Sequence, residues 1–486
     1  MKKKFIWSAS VLALGLSLAG CKDALEIDPQ QSIDAADAYN TSQKVSAAVV
    51  GAYARLDDPR LYGTDLILVP ELLGEVGAGY IAWNGSFQNY NQLYRRTQIS
   101  TLSNAQGIWT QAYNAINQCN LILANLAAVT DVGQRTQFEG EANYIRGIMY
   151  FELVRLYAQQ YTAGGANAQD GVPINLTAVT TAEQADTKLA RSTVQQVYAQ
   201  VITDLQAAIQ KLPTQNVTRA SKYSAEAMLA RVYLQQGNYT DARAMANDVI
   251  TNSGAALAGT VAAVFANRNS GESLFEIQQN DQNNAGTSND GLATYFAGYS
   301  PTGDQTVLYG RGDIYIQPAF VNLYGTTDVR GTDGNPALTT QKLIYVSDGN
   351  NKTGRYRTIK WRTYGQNIVV ARLAEMYLIR AEADARAGNI TSALADVNRI
   401  RTRSGATALT TVTLANVLRE RQLELAFEGF RIHDLKRVNA IVVPAVAATA
   451  TTPASPAVLA SDPRLVLPIP QREINNNSLL TQNPGY

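Results

Sequence analysis

Two stretches far apart in the chain carry one pattern, and no other feature constrains the fold as strongly. Leu229, Ala230 and Tyr233 precede Gly237-Asn238-Tyr239, and Ala242, Ala246 and Val249 follow. Later, Tyr377 and Ala381 precede Gly388-Asn389-Ile390, with Ala393, Val397 and Ile400 beyond. Apolar residues at helical spacing on both sides of a turn predict paired helices, and small residues let the two backbones cross closely. Glycine suits the tight turn between them. The glycines at 237 and 388 lie 151 residues apart, which is no tandem period of about 34. Insertions therefore interrupt the units. Such units stabilise one another by stacking, so they must meet in space despite the gap.

This is the packing logic of tetratricopeptide pairs. Helical patterns cluster in three blocks, residues 41–161, 192–250 and 369–438. Within the first, residues 139–157 are apolar on several faces (Ile145, Met149, Phe151, Leu153, Val154, Leu156), which predicts a buried helix. Residues 252–366 are instead rich in Gly, Asn, Asp, Thr and Tyr, with strand signals at 273–278, 342–346 and 356–361. So long an irregular stretch reads as functional surface rather than connection. A second irregular region, 440–462, is built of Ala, Thr, Val and Pro and reads as a surface loop.

The first residues predict export. Lys2, Lys3 and Lys4 precede an apolar run of 14 residues, 5–18, and the chain then reads Leu18-Ala19-Gly20-Cys21. A basic start, a short apolar core and small residues before a cut site make a secretory signal peptide. The apolar run is shorter than the roughly 20 residues a spanning helix needs. Leu-Ala-Gly-Cys is the lipobox pattern, in which the thiol of Cys21 carries the lipid. One acyl chain holds a protein only marginally, whereas two or three make anchoring effectively permanent. The expected division is a signal peptide (1–20), a lipidated tether (21–40), an N-terminal helical region (41–250), a loop-rich insertion (251–367) and a C-terminal region (368–486).

Composition removes several function classes. After cleavage Cys119 is the one thiol left besides the anchor, so no internal disulfide framework exists. Losing three lysines with the leader leaves 38 basic against 40 acidic residues, without the clustered positive charge that nucleic acid requires. The single histidine, His433, argues against a zinc site, and no metal or other cofactor is implied. A match to a dinucleotide-binding loop at residues 77–82 does not clearly open a helix and reads as a flexible loop.

The third helical block carries a resemblance. Residues 371–383 (Ala-Arg-Leu-Ala-Glu-Met-Tyr-Leu-Ile-Arg-Ala-Glu-Ala) resemble the RagB/SusD family of nutrient-uptake lipoproteins. So do Asp396-Val397-Asn398-Arg399-Ile400-Arg401, the run 419–431 (Arg-Glu-Arg-Gln-Leu-Glu-Leu-Ala-Phe-Glu-Gly-Phe-Arg), and Asp434-Leu435 with Arg437. The chain closes on Leu467-Pro468-Ile469-Pro470, Glu473-Ile474 and Gln482-Asn483-Pro484-Gly485-Tyr486, which looks like that family's ending. His433 stands where an aromatic is more usual. The resemblance implies a mostly α-helical, SusD-like fold. Four tetratricopeptide-like helix pairs would form the scaffold, with a loop-rich, short-stranded remainder. It also implies a lipid-anchored outer-membrane protein facing the cell exterior, without enzymatic activity, that acts as a lid on a SusC-like TonB-dependent β-barrel transporter.

Glu420, Glu424 and Glu428 stand at i, i+4 and i+8 on one expected helix face. A glycosidase would use two such carboxyls as acid and nucleophile. Their setting in a Leu-Ala-Phe helix with Arg421 and Arg431 nearby favours ion pairs that hold helix to scaffold.

Sugars present flat C–H faces that pack on aromatic rings, and their hydroxyls need amide, carboxylate and guanidinium partners. Trp109 and Trp361 sit in apolar segments and read as core, whereas Trp83 lies in the polar, Gly-rich stretch 74–96. Trp83, Tyr80, Asn84 and Tyr90 make the first candidate binding platform. Tyr295, Tyr299 and Tyr309 make the second. The alternative is that these aromatics pin long loops to the scaffold. An oligosaccharide is the leading ligand, with a peptide in the same transport role as the alternative, since Tyr- and Asn-rich loops suit both. A third reading is a tetratricopeptide adaptor whose concave face binds only protein.

Overall fold

Side-chain caps set the starts of the main helices. Thr41 accepts from Lys44 N ahead of α1 (Ser42–Leu56), and Asp131 does the same for Gln134 N ahead of α5 (Val132–Tyr157). Thr193 and Ser221 form capping boxes for α6 (Val194–Lys211) and α7 (Lys222–Gln236). The remaining principal helices are α2 (Asp65–Leu73), α3 (Gln88–Arg95), α4 (Ser103–Ala124), α8 (Tyr239–Asn252), α9 (Leu373–Arg386), α10 (Ile390–Arg403), α11 (Leu414–Glu424) and α12 (Arg431–Arg437). The computed structural model describes residues 37–74, 79–298, 310–335, 342–347, 354–449 and 453–486. Cys21, the tether up to residue 36, Tyr299 and Tyr309 lie outside them.

The two helix–turn–helix units meet as their pattern requires. Helix α7 ends on Gly237 at φ +75°, and the α9–α10 turn uses Gly388 at φ +81°, left-handed conformations that favour glycine. Helix α8 packs against both α7 and α9, so the two units meet although their turn glycines lie 151 positions apart. Arg231 of α7 pairs with Glu375 of α9 at 2.7 Å, and Arg243 of α8 with Asp384 of α9 at 2.6 Å. Helix α5 is buried almost continuously from Phe138 to Tyr157, between α4 and α6, which is why its sequence is apolar on several faces.

Short strands close the remainder. A four-stranded antiparallel sheet runs in the order β1 (Ile81–Trp83), β3 (Ile314–Ile316), β5 (Arg355–Thr358), β4 (Ile344–Ser347). A second sheet pairs β2 (Ser273–Ile277) with β6 (Ile368–Arg372), and β7 (Ile441–Val443) pairs with β8 (Val458–Leu459). Residues 368–372 depart from the expected helical block. Ile368-Val369-Val370 is a β-branched run whose five-residue strand is buried throughout, and the helix begins only at Leu373. Trp83, expected in a loop, is likewise the last residue of β1.

Helix α11 stops at Glu424, short of Glu428, expected on the same helix face as Glu420 and Glu424. Phe427 at φ +69° and Gly429 at φ +84° turn the chain before α12. Lys436 of α12 is buried, and among the described residues its ammonium has only the carbonyls of Arg155 at 3.5 Å and Ala158 at 3.4 Å as acceptors. Burial, reinforced by Arg155, lowers its pKa to about 7. His433, one turn earlier, is buried with Nε2 unpartnered among the described residues, and burial depresses its pKa as well.

A buried lysine with a lowered pKa binds fewer protons in the folded chain than in the unfolded one between about pH 7 and 10.5. Its contribution to stability therefore grows as pH rises through that window and is lost as pH falls. Lys436→Met is expected to raise the melting temperature by several degrees at pH 7, with the gain shrinking toward pH 10. Thermal unfolding of both chains across that range measures it.

Candidate functional site

Trp83 and Tyr90 of the first aromatic patch and Tyr295 of the second form one cluster. Strand β1 delivers Trp83, α3 delivers Tyr90, and the turn of helix Leu292–Phe296 delivers Tyr295. Ring centroids lie 5.3 Å apart for Trp83–Tyr90, 5.9 Å for Trp83–Tyr295 and 5.0 Å for Tyr90–Tyr295. Phe87 closes the cluster edge-on at 6.3 Å from Tyr90 and 6.2 Å from Tyr295. The tilted and edge-to-face arrangement is the favourable one for aromatic quadrupoles.

Their polar tips are engaged. Tyr90 donates to Asp65 at 2.8 Å, and Tyr295 donates to Asp290 at 2.5 Å. Arg60 joins both carboxylates, reaching Asp65 at 3.0 Å and also pairing with Asp290. Asn104 of α4 donates to both Asp65 oxygens. Burial pushes the Asp65 carboxyl up to about 6, against the pull of Arg60, Asn104 and Tyr90. The Trp83 indole N–H donates to the Gly85 carbonyl at 3.1 Å, and a Cβ on Gly85 would lie 2.5 Å from the indole. The ring thus rests on a position that must stay glycine.

This packing corrects the expected platform. Tyr90 is 1 % exposed, Tyr295 0 % and Trp83 8 %, so the rings pin the segment 81–95 to the central insertion. Tyr80, 1 % exposed, belongs to a different place. It stacks on Phe427 at 5.5 Å, donates to Glu71 and accepts from Phe427 N at 3.0 Å. Asn84 alone among the described candidates is exposed. Near it in the chain stands half-buried Phe87, which sequence reasoning did not select, with the Arg311 guanidinium 4.3 Å above its ring. The rim of the cluster, not its rings, faces outward.

A polar groove of about 460 Å³ begins next to this network. Its lining includes Gly51, Arg55, Asp57, Asp58, Gln111 and Asn283, and Pro59, immediately before Arg60, continues it toward the cluster. Burial pushes the Asp57 carboxyl up to about 6, although Gln279 donates to it at 2.5 Å. No sequence signal marked the groove, because its walls come from α1, α4 and the segment 283–285.

The glutamates form ion pairs. Glu424 is fully buried and meets Arg372 at 2.6 Å, Arg403 at 2.5 Å and Arg330 at 3.0 Å. Burial pushes its pKa up, but Arg403, Arg372 and Arg330 outweigh that and hold it well below the usual carboxylate range. Glu428 lies between Lys360 at 2.5 Å and Arg372 at 2.8 Å, and Glu420 between Arg330 at 2.6 Å and Arg401 at 2.8 Å. An acid catalyst needs a raised pKa and access to substrate, and Glu424 has neither. Cys119 is buried, and burial pushes its thiol up to about 12, so it is not a nucleophile.

The fold is that of a mostly helical scaffold with short-stranded loops, and it has solved counterparts. A putative sugar binding protein from Bacteroides vulgatus superposes with a TM-score of 0.78 at 27 % identity, covering 92 % of this chain and 99 % of its own. A laminarin-binding SusD-like protein shares the fold with a TM-score of 0.71 at 22 % identity, over 92 % of this chain and 100 % of its own. The chain matches the SusD family model over residues 347–486. Over residues 25–234 it matches a family described as starch-binding and associating with the outer membrane. It belongs to the SusD/RagB family. SusD-like protein P2 of Formosa agariphila is 26 % identical over 100 % of both chains. The starch-binding protein SusD of Bacteroides thetaiotaomicron is 33 % identical over 32 % of this chain and 26 % of its own length.

Removing one partner of a buried ion pair leaves the others uncompensated, at a cost of about 3–5 kcal/mol. Glu424→Gln is expected to destabilise the fold by that amount in urea unfolding. The same variant leaves glycan turnover at the background of the parent chain; turnover by the parent that the variant abolishes would make Glu424 catalytic.

Proposed function

We propose that the protein captures glycans at the cell surface and delivers them to a SusC-like TonB-dependent transporter of the outer membrane. The observation that carries this reading is the locked aromatic cluster with an outward rim of Asn84, Phe87 and Arg311, beside a polar groove rich in amide and carboxylate groups. A half-buried ring supplies a stacking face, an amide and a guanidinium supply hydroxyl partners, and the network beneath holds them in place before ligand arrives. Relatives named for binding starch, laminarin or sugar support the ligand class.

Anchoring belongs to the same reading. Cys21 tethers the folded part to the membrane, and among the described residues no helix is long and apolar enough to cross one. A tethered binder beside a transporter raises the local ligand concentration without chemistry of its own.

Purified protein is expected to bind particular glycans without cleaving them. Phe87→Ala and Asn84→Ala should each weaken binding by about fivefold, on the order of 1 kcal/mol, in isothermal titration. Unchanged affinity in both removes the rim from the site, and selective binding of peptides instead replaces the ligand class. Cys21→Ser is expected to preserve fold and binding while abolishing uptake by whole cells.

A further inference from the structure

A second cavity, of about 300 Å³, opens between α11 and α12, lined by Leu418, Leu425, Phe430 and Leu435, by Arg419, Arg421, Arg431 and Arg437, and by Asp434. Arg421 and Arg437 are committed, both to Asp434 and, respectively, to Glu375 and Glu382. Arg419 and Arg431 are not: among the described residues neither forms an ion pair. Arg431 lies 5.2 Å over the Tyr80 ring, and among the described residues its Nη atoms meet the side-chain amide of Gln422, whose oxygen accepts at 3.2 and 3.3 Å when the amide is turned toward them. Its Nε is buried without an acceptor, and so is Nη1 of Arg421, a side chain that is 1 % exposed.

Unmatched guanidinium N–H groups in a desolvated place cost free energy unless an anion meets them. Glu71, a carboxylate whose charge acts on Arg431, already accepts from Gly429 N at 2.7 Å and Phe430 N at 3.1 Å as well as from Tyr80. The cavity therefore sets unmatched guanidinium N–H groups beside aliphatic and aromatic side chains, with Asp434 already neutralised by Arg421 and Arg437. That combination matches a carboxylate on an apolar carrier better than a sugar, whose hydroxyls would find few partners along Leu418, Leu425 and Leu435.

We propose that this cavity is a separate binding site for a small aliphatic carboxylate, whose oxygens take the free donors of Arg431 and Arg421 while Arg419 covers the mouth. It rests neither on glycan capture nor on the aromatic rim. The test is isothermal titration of the full folded chain with hexanoate, hexanamide and glucuronate. Hexanoate is expected to saturate one site near the millimolar range, with hexanamide and glucuronate at least tenfold weaker. Arg431→Gln should abolish the binding. Because Arg431 is partly structural, Arg419→Gln serves as the second variant. Arg419 is exposed, so the exchange should leave the melting temperature unchanged and weaken hexanoate severalfold. Equal binding of hexanoate and hexanamide, glucuronate outcompeting hexanoate, no saturation by hexanoate, or wild-type affinity in Arg419→Gln would each overturn the assignment.

Discussion

The rest of the structure depends on the buried charges gathered around Arg372. This guanidinium, 1 % exposed, meets Glu272 at 2.8 Å, Glu424 at 2.6 Å and Glu428 at 2.8 Å. Arg403 bridges Glu272 and Glu424, Arg330 joins Glu424 to Glu420, and Lys360 caps Glu428. The participants come from the start of β2, the end of β6, α10, α11, the turn after it and the central insertion. Taking such charges out of water costs several kcal/mol each, and their attraction offsets this only with good geometry. Every charge is matched only when all of these segments are seated at once. The network therefore ties the irregular insertion to the helical scaffold more selectively than apolar contact, which tolerates sliding.

A smaller network does the same for the outer surface. Arg60 links Asp65 on α2 to Asp290 in the insertion, and both carboxylates accept from tyrosine hydroxyls of the aromatic cluster. The rings then have little freedom, and Asn84 and Phe87 inherit that rigidity at the rim. A binder built this way gives up ring area that a ligand could have covered. In exchange, little ordering entropy is lost when ligand arrives.

Much of the scaffold was legible in the sequence. The glycine turns at 237 and 388, the buried helix ending at Tyr157 and the core positions of Trp109 and Trp361 all follow from local periodicity. The pairing of β6 with β2 was not legible, because Ile368-Val369-Val370 next to a long helix suits either state until a partner strand is known. The end of α11 was missed because Glu428 keeps helical spacing after the backbone has turned at Phe427. At the site, the aromatic residues were recognised as important and their exposure was misjudged. Tyr80, Tyr90, Trp83 and Tyr295 stand in polar surroundings along the chain, yet each is surrounded by residues from elsewhere.

The sequence by itself determined where helices pair, predicted export and anchoring through Cys21, and carried the motif run from Ala371 to Arg437 that marks the family. Those are short-range properties, written in spacings of three, four and seven residues or in contiguous patterns. Only the tertiary structure decided which aromatics face water, which glutamates are neutralised by arginines and which guanidinium groups are left unmatched. Burial and charge balance are sums over spatial neighbours. For Trp83 and Tyr295, for Glu424 and Arg330, and for Arg431 and Tyr80, those neighbours lie scores to hundreds of residues away along the chain.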